Sequence, residues 1–175
     1  MLAPNSITKE GWSALDLSGN VTTTLVRLNL RRASARKPRV PITTIILADD
    51  NCAVLAHVSK MLGKQKGYKV IASISDGKII VSECLRLKSD VIIIDISIAT
   101  MNGIHVARQL RDSGCRAKIV FLTVHEDSDY VSAAMHAGGS AYVVKSRLSS
   151  DLLPAIRAAL SNRFFVSPVI INGLT

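Results

Sequence analysis

The chain has 175 residues, of which 48% are hydrophobic and 20% are charged, and its net charge is +9. This balance is typical of a globular protein and excludes a disordered or fibrous chain. No apolar run approaches the roughly 18 residues that a membrane-spanning helix needs. The three cysteines include no C-x-x-C pair, which argues against a disulfide framework or a structural zinc site and predicts a reducing, cytoplasmic location.

Residues 1–40 form a basic segment that differs from the rest of the chain. They hold seven lysines and arginines and only two acids, so +5 of the net charge lies here. They show no sustained apolar period and bury too little apolar surface to offset the entropy of ordering, which predicts a disordered tail. A transit-peptide-like leader or a wrongly assigned start codon would look similar. The charge suits attraction to nucleic acid or to an anionic surface.

Five short apolar runs follow Pro41 and predict five strands. Their apolar residues are nearly continuous instead of alternating, as in strands that are buried on both faces of a parallel sheet. The runs cover residues 42–47, 70–74, 91–94, 118–122 and 141–144.

The segments between these runs have apolar residues at helical spacing. The clearest stripe is Leu152, Ile156 and Ala159, which predicts the last helix. Four dipeptides mark helix starts, turns and ends, namely Asp127-Ser128 and Ser149-Ser150 as N-caps, Asp76-Gly77 after the second strand, and Ser113-Gly114 after the third helix. Five β-α units in about 120 residues, with right-handed crossovers, predict a three-layer, doubly wound (βα)5 domain of the α/β class.

Polar residues follow four of the five predicted strands, at the edge where such sheets bind ligands. They are Asp49-Asp50, Asp95, Thr123 and Lys145. Three carboxylates brought together repel one another unless a cation is present. Ligands that are all oxygen suit Mg²⁺, while a lysine and a hydroxyl suit phosphoryl oxygens. The pattern predicts an acidic metal pocket that holds one phosphoryl group. No P-loop, dinucleotide fingerprint or nucleophile elbow is present.

Residues 42–163 resemble the receiver domain of bacterial two-component response regulators. Within that family they are most similar to the NarL/FixJ-like branch. The resemblance is carried by four segments, Leu47-Ala48-Asp49-Asp50, Asp95 with Met101-Asn102-Gly103-Ile104, Phe121-Leu122-Thr123, and Tyr142-Val143-Val144-Lys145. It implies a flavodoxin-like sheet with strand order 2-1-3-4-5. It also implies a regulatory phosphoacceptor and not an enzyme, with a sensor histidine kinase as partner and a possible homodimer in a bacterial cytoplasm.

The resemblance assigns a role to each site residue. Asp95 would accept the phosphoryl group, and Lys145 would pair with its oxygens. Asp50, Asp95 and the backbone carbonyl of Ser97 would hold Mg²⁺, with Asp49 acting through water. Thr123 and Tyr142 would repack a protein-interaction face once Asp95 is phosphorylated.

The chain departs from the family pattern in the loop after Asp95. The family often has methionine and proline where Ile98 and Ala99 stand, and many receivers have a proline at the position of Ser146. These changes remove no reacting group, although we expect the loop to be looser without its proline. The four histidines, at positions 57, 105, 125 and 136, are predicted to be surface or capping residues.

The resemblance also divides the chain. We expect a tail over 1–40, a receiver domain over 41–163 and a linker remnant over 164–175, because residues 163–168 resemble the start of a linker to a helix-turn-helix domain. The residues that follow are too few for that domain, so three interpretations of the chain stay open: a stand-alone receiver, a fragment and a truncated regulator. The alternative function is a receiver-like module that no longer switches and serves dimerisation or kinase binding. The downstream partner stays open.

Overall fold

The computed structural model describes residues 41–172, and the predicted tail over 1–40 lies outside the described residues. Strands and helices alternate along the described part of the chain. In order they are β1 (Thr43–Ala48), α1 (Cys52–Gly63), β2 (Tyr68–Ile74), α2 (Gly77–Leu87), β3 (Val91–Ile94), β4 (Ser97–Ile98), β5 (Met101–Asn102), α3 (Gly103–Asp112), β6 (Lys118–Thr123), α4 (Ser128–His136), β7 (Gly139–Val144), a 3₁₀ turn (Lys145–Arg147), α5 (Leu148–Leu160), β8 (Phe165–Val166) and α6 (Pro168–Asn172).

The main sheet is parallel throughout and has the order β2-β1-β3-β6-β7-β8. Its first five strands are the five predicted strands in the predicted order, so the doubly wound fold is confirmed. The short strands β4 and β5 pair with each other in an antiparallel hairpin directly after β3 and lie outside this sheet.

Apolar residues are buried on both faces of the sheet, because successive side chains along a strand point to opposite sides. In β1, Ile45 and Leu47 belong to the buried cluster that includes residues of α1 and α5, whereas Ile46 and Ala48 belong to the cluster that includes residues of α2, α3 and α4. The three layers therefore follow from strands that carry apolar residues on both faces. Within the described residues no helix is long and apolar enough to cross a membrane.

Most of the predicted helix boundaries agree with the structure. Asp127 caps α4 by accepting from the amide of Asp129, and Gly114 takes φ +73° after the end of α3. The cap predicted at Ser149-Ser150 is wrong, because α5 begins at Leu148. The 3₁₀ turn runs directly into α5, and the amide of Leu148 donates to the carbonyl of Lys145 without a side-chain cap.

The segment after α5 folds back on the sheet edge, which the sequence does not predict. Strand β8 pairs with Ala141 and Tyr142 of β7. Ser167 is fully buried, its amide donates to the carbonyl of Tyr142 at 2.9 Å, and its Oγ accepts from the amide of Val144 at 3.1 Å. The same hydroxyl donates to Asp151 at 2.8 Å. The segment is thereby attached to the strand that leads into Lys145.

Candidate functional site

The structure brings the three predicted carboxylates together. Asp49 and Asp95 directly follow the paired residues Ala48 and Ile94 of the adjacent strands β1 and β3. Asp49, Asp50 and Asp95 each offer an oxygen, and these oxygens all lie within 4.8 Å of one another. Asp49 is 3% exposed and Asp95 is 4% exposed, whereas Asp50 is open to solvent. The parallel topology thus creates the acidic cluster that the sequence pattern predicts.

Lys145 reaches this cluster from the end of β7. Its Nζ lies 2.7 Å from Oδ2 of Asp49 and 2.8 Å from Oδ2 of Asp95. Burial of the ammonium lowers the pKa of Lys145, but the bonds to Asp49 and Asp95 outweigh burial, so its pKa lies above the usual value. Lys145 is therefore a fixed positive charge that joins the two buried carboxylates.

The oxygens of the cluster fit a divalent cation. Oδ1 of Asp95 is buried and has no hydrogen-bond partner among the described residues, a costly state for a carboxylate oxygen. Oδ2 of Asp49 also has no hydrogen-bond partner among the described residues, but it forms a salt bridge with Nζ of Lys145, which lies 2.7 Å away. Three carboxylates facing one ammonium leave an excess negative charge. Carboxylate oxygens at a partly open site are the donors that Mg²⁺ prefers.

Thr123 and Tyr142 lie beside the cluster and contact the same loop residue. Thr123 is the last residue of β6, it is fully buried, and its Oγ1 accepts from the amide of His125 at 3.3 Å. The hydroxyl of Tyr142 donates to the carbonyl of His125 at 3.0 Å. Burial, together with Tyr130 and the charges of Asp127 and Asp95, raises the pKa of Tyr142, which keeps the phenol neutral. The two predicted switch residues are thus connected through His125.

The loop after Asp95 is held from three sides although it lacks the family's proline. The amide of Ala99 donates to Oδ2 of Asp50 at 2.8 Å, and the amide of Gly77 donates to Oγ1 of Thr100 at 3.0 Å. Oγ of Ser97 lies 2.7 Å from Nε2 of His125. These contacts involve the ring of His125, the hydroxyl of Thr100 and the amide of Ala99, for which the sequence predicts no role at the site. They depend on how the loop is folded, and the sequence carries no signal for them.

Gly103 sets the backbone position of Asp95. A Cβ atom at this glycine would lie 2.0 Å from the carbonyl oxygen of Asp95, a distance at which atoms overlap. The amide of Gly103 also donates to the carbonyl of Ile96 at 2.8 Å, so α3 starts directly against the loop. The glycine of the Met-Asn-Gly motif is therefore required for the close approach of these two segments.

Comparison with known proteins gives a consistent family match. The profile of the response regulator receiver domain matches residues 45–157. Response regulator UvrY of Escherichia coli is 29% identical over 123 residues, which are 70% of this chain and 56% of that protein. Transcriptional regulatory protein PdtaR of Mycobacterium tuberculosis is 33% identical over 129 residues, or 74% of this chain and 60% of the relative. The chain thus spans a little over half the length of these relatives.

Solved structures show the same fold. A LuxR-family two-component response regulator from Aurantimonas sp. SI85-9A1 has a TM-score of 0.71 and 29% identity, covering 75% of this chain and 94% of the other. The isolated receiver domain of RcsB from Salmonella enterica has a TM-score of 0.69 with 22% identity over 75% of this chain and 97% of the other, which is evidence for the fold alone.

Proposed function

Because the chain belongs to the response regulator receiver domain family, we propose that it accepts a phosphoryl group on Asp95 from a sensor histidine kinase and then switches a protein-interaction face. One observation carries this proposal. Lys145 holds Oδ2 of Asp95 at 2.8 Å, while Oδ1 of the same carboxylate is buried and unpartnered among the described residues. One oxygen is thus oriented by a cation, and the other lacks a partner that a metal ion or a phosphoryl group would supply.

The residues of the cluster would hold Mg²⁺ for this reaction. Asp50, Asp95 and the backbone carbonyl of Ser97 are the proposed direct ligands, and Asp49 is the proposed ligand through water. When bound, the ion supplies positive charge that stabilises the phosphoryl oxygens during transfer. The mutual proximity of the three carboxylates, within 4.8 Å, supports this assignment.

In the transfer, a carboxylate oxygen of Asp95 attacks the phosphorus of the kinase phosphohistidine. The new O–P bond forms as the P–N bond breaks, and the electron pair leaves with the histidine nitrogen, which then takes a proton from water. Lys145 remains charged and pairs with a phosphoryl oxygen as a point charge. Its raised pKa supports this role, because the ammonium must not lose its proton when the phosphoryl group arrives.

The switch starts from Thr123 and Tyr142. We propose that the hydroxyl of Thr123 turns towards the phosphoryl group and donates to it. This rotation would break the present contact, in which Oγ1 accepts from the amide of His125. Tyr142 is already fully buried, and its hydroxyl is bonded to the carbonyl of His125, so movement of this loop changes the packing around both side chains. A local charge is thereby coupled to the arrangement of the segment between β6 and α4.

The proposed organisation assigns this activity to residues 41–163. The tail over 1–40 would add basic charge to the domain, which suits a nucleic acid or an anionic surface. Residues 164–175 include strand β8, which pairs with β7, so we propose this segment as the connection between the domain and the partner that reads the switch. The domain is regulatory, and we propose no turnover beyond gain and loss of the phosphoryl group.

Intact-mass spectrometry tests the proposal. The full chain is incubated with a small acyl phosphate and MgCl₂, in parallel with Asp95→Asn and with Asp112→Asn, which changes an exposed acid at the end of α3. We expect one added phosphoryl group on the wild type and on Asp112→Asn, and none on Asp95→Asn or after addition of EDTA. A folded wild-type chain that gains no phosphoryl group would contradict the proposal and favour the module that binds without switching.

A further inference from the structure

We propose that the backbone amide of Ala99 positions Asp50 for the divalent cation, an inference that rests on the proposed function. The nitrogen of Ala99 lies 2.8 Å from Oδ2 of Asp50, with the N–H as donor. A proline at this position would have no N–H to give. The contact therefore depends on the residue by which this loop departs from the family pattern.

Asp50 needs such a contact more than the other two carboxylates do. Asp49 is buried, is paired with Lys145 and accepts from the amide of Asn51 at 2.9 Å. Asp95 is buried and is also paired with Lys145. Asp50 is exposed, and among the described residues the amide of Ala99 supplies the hydrogen bond made to its side chain. Without this donor the carboxylate would sample several rotamers, which lowers its effectiveness as a ligand.

The amide is held in place by the hairpin that contains it. Ser97 pairs with Asn102 and Ile98 pairs with Met101, which leaves Ala99 and Thr100 as the two turn residues. Ile98 is 5% exposed and anchors one side of the turn in the core. Thr100 accepts from the amide of Gly77 and anchors the other side. The donor thus reaches Asp50 from a fixed position.

The expected effect is a change in metal affinity. Loss of a hydrogen bond that orients a metal ligand typically weakens binding about 10- to 100-fold. Asp50 is exposed and only one of several ligands, so we expect Ala99→Pro to weaken Mg²⁺ binding about tenfold, at the lower end of that range. Ala99→Gly is the matched control, since it removes the methyl group but keeps the N–H, and it should bind within about twofold of the wild type.

Isothermal titration of the full chain and both variants with MgCl₂ measures these affinities, and thermal unfolding checks that each variant is folded. Wild-type affinity in Ala99→Pro would overturn the inference, and so would an equal loss in both variants. A wild type that binds no Mg²⁺ would instead overturn the proposed metal site itself.

A second measurement needs neither metal nor the proline variant. In the metal-free protein, the ¹⁵N–¹H resonance of Ala99 should move upfield in Asp50→Ala, because its acceptor is lost. An unchanged Ala99 resonance would show that the bond is not formed in solution and would overturn the inference, even if Ala99→Pro failed to fold.

Discussion

Replacing Lys145 by methionine removes the cation that contacts both buried carboxylates while keeping a side chain of similar length. Lys145 lies 2.7 Å from Asp49 and 2.8 Å from Asp95, and its side chain is only 17% exposed. In the variant, two carboxylates that are each 5% exposed at the side chain face each other without this ammonium. We expect the free energy of unfolding to fall when no divalent cation is present.

The size of the loss follows from the geometry. At these distances each contact is worth about 6 kcal/mol at an effective dielectric constant of about 20, and desolvation of the charges offsets most of it. Removal of one partner from a buried ion pair costs about 3–5 kcal/mol. Because Lys145 is partly exposed and water can reach Asp50, we expect the free energy of unfolding to fall by about 3 kcal/mol, the lower end of this range.

Mg²⁺ should reverse much of this loss. In Lys145→Met no ammonium competes for the carboxylate oxygens, so the variant should bind the ion more tightly than the wild type does. At saturating Mg²⁺, tenfold tighter binding adds about 1.4 kcal/mol of stability. Addition of MgCl₂ should therefore stabilise the variant more than the wild type.

Urea denaturation followed by circular dichroism, with and without MgCl₂, measures both effects. Lys66→Met serves as the matched control, because Lys66 is exposed in the turn between α1 and β2. A loss below about 1 kcal/mol in metal-free Lys145→Met would refute the reasoning, since it falls well short of the cost of breaking a buried pair. So would equal stabilisation of the variant and the wild type by Mg²⁺.

Three further results are expected from the same denaturation assay. Gly103→Ala places a Cβ 2.0 Å from a backbone oxygen and should cost about 3 kcal/mol or more, whereas Gly63→Ala, with no atom within 4 Å, should be nearly neutral. Ser167→Ala removes the partner of Oδ2 of the buried Asp151, whose Oδ1 keeps its bond from Ser150, and of the buried amide of Val144, and should cost about 2–3 kcal/mol. The free energy of unfolding should fall above about pH 10, because the raised pKa values of Tyr142 and Lys145 in the folded chain mean that the unfolded chain loses these protons first. Tyr142→Phe should reduce this fall, and an unchanged dependence of stability on pH in that variant would contradict the prediction.

The parts of the fold that could be predicted are those that follow from local pattern and topology. The run Val91–Ile94 is apolar at every position, and it forms a strand with those bounds, buried on both faces. Once parallel strands are predicted, their carboxyl ends must lie at one edge, so Asp49 and Asp95 must come together. The main chemistry of the cluster could therefore be inferred before the structure was known.

Other parts depend on tertiary contacts that leave no trace in local sequence. Strand β8 has two residues and exists because β7 offers it an unpaired edge. Strand β7 begins at Gly139, two residues before the predicted start, because Gly139 pairs with Ile119 of β6. A Cβ at this glycine would lie 2.9 Å from the ring of Phe121. The sequence predicts that His125 is a surface histidine. In the structure it contacts Ser97, because two separate loops meet at the sheet edge.

The central claim is that Asp95 itself carries the phosphoryl group, and chemical mapping tests it most directly. Borohydride reduces an aspartyl phosphate to homoserine but leaves phosphate esters of serine and threonine unchanged. After phosphorylation of the full chain with an acyl phosphate and Mg²⁺, followed by reduction, peptide mass spectrometry should find homoserine at position 95. Homoserine at position 49 or 50, or a stable phosphate on Ser97 or Thr123, would contradict the account.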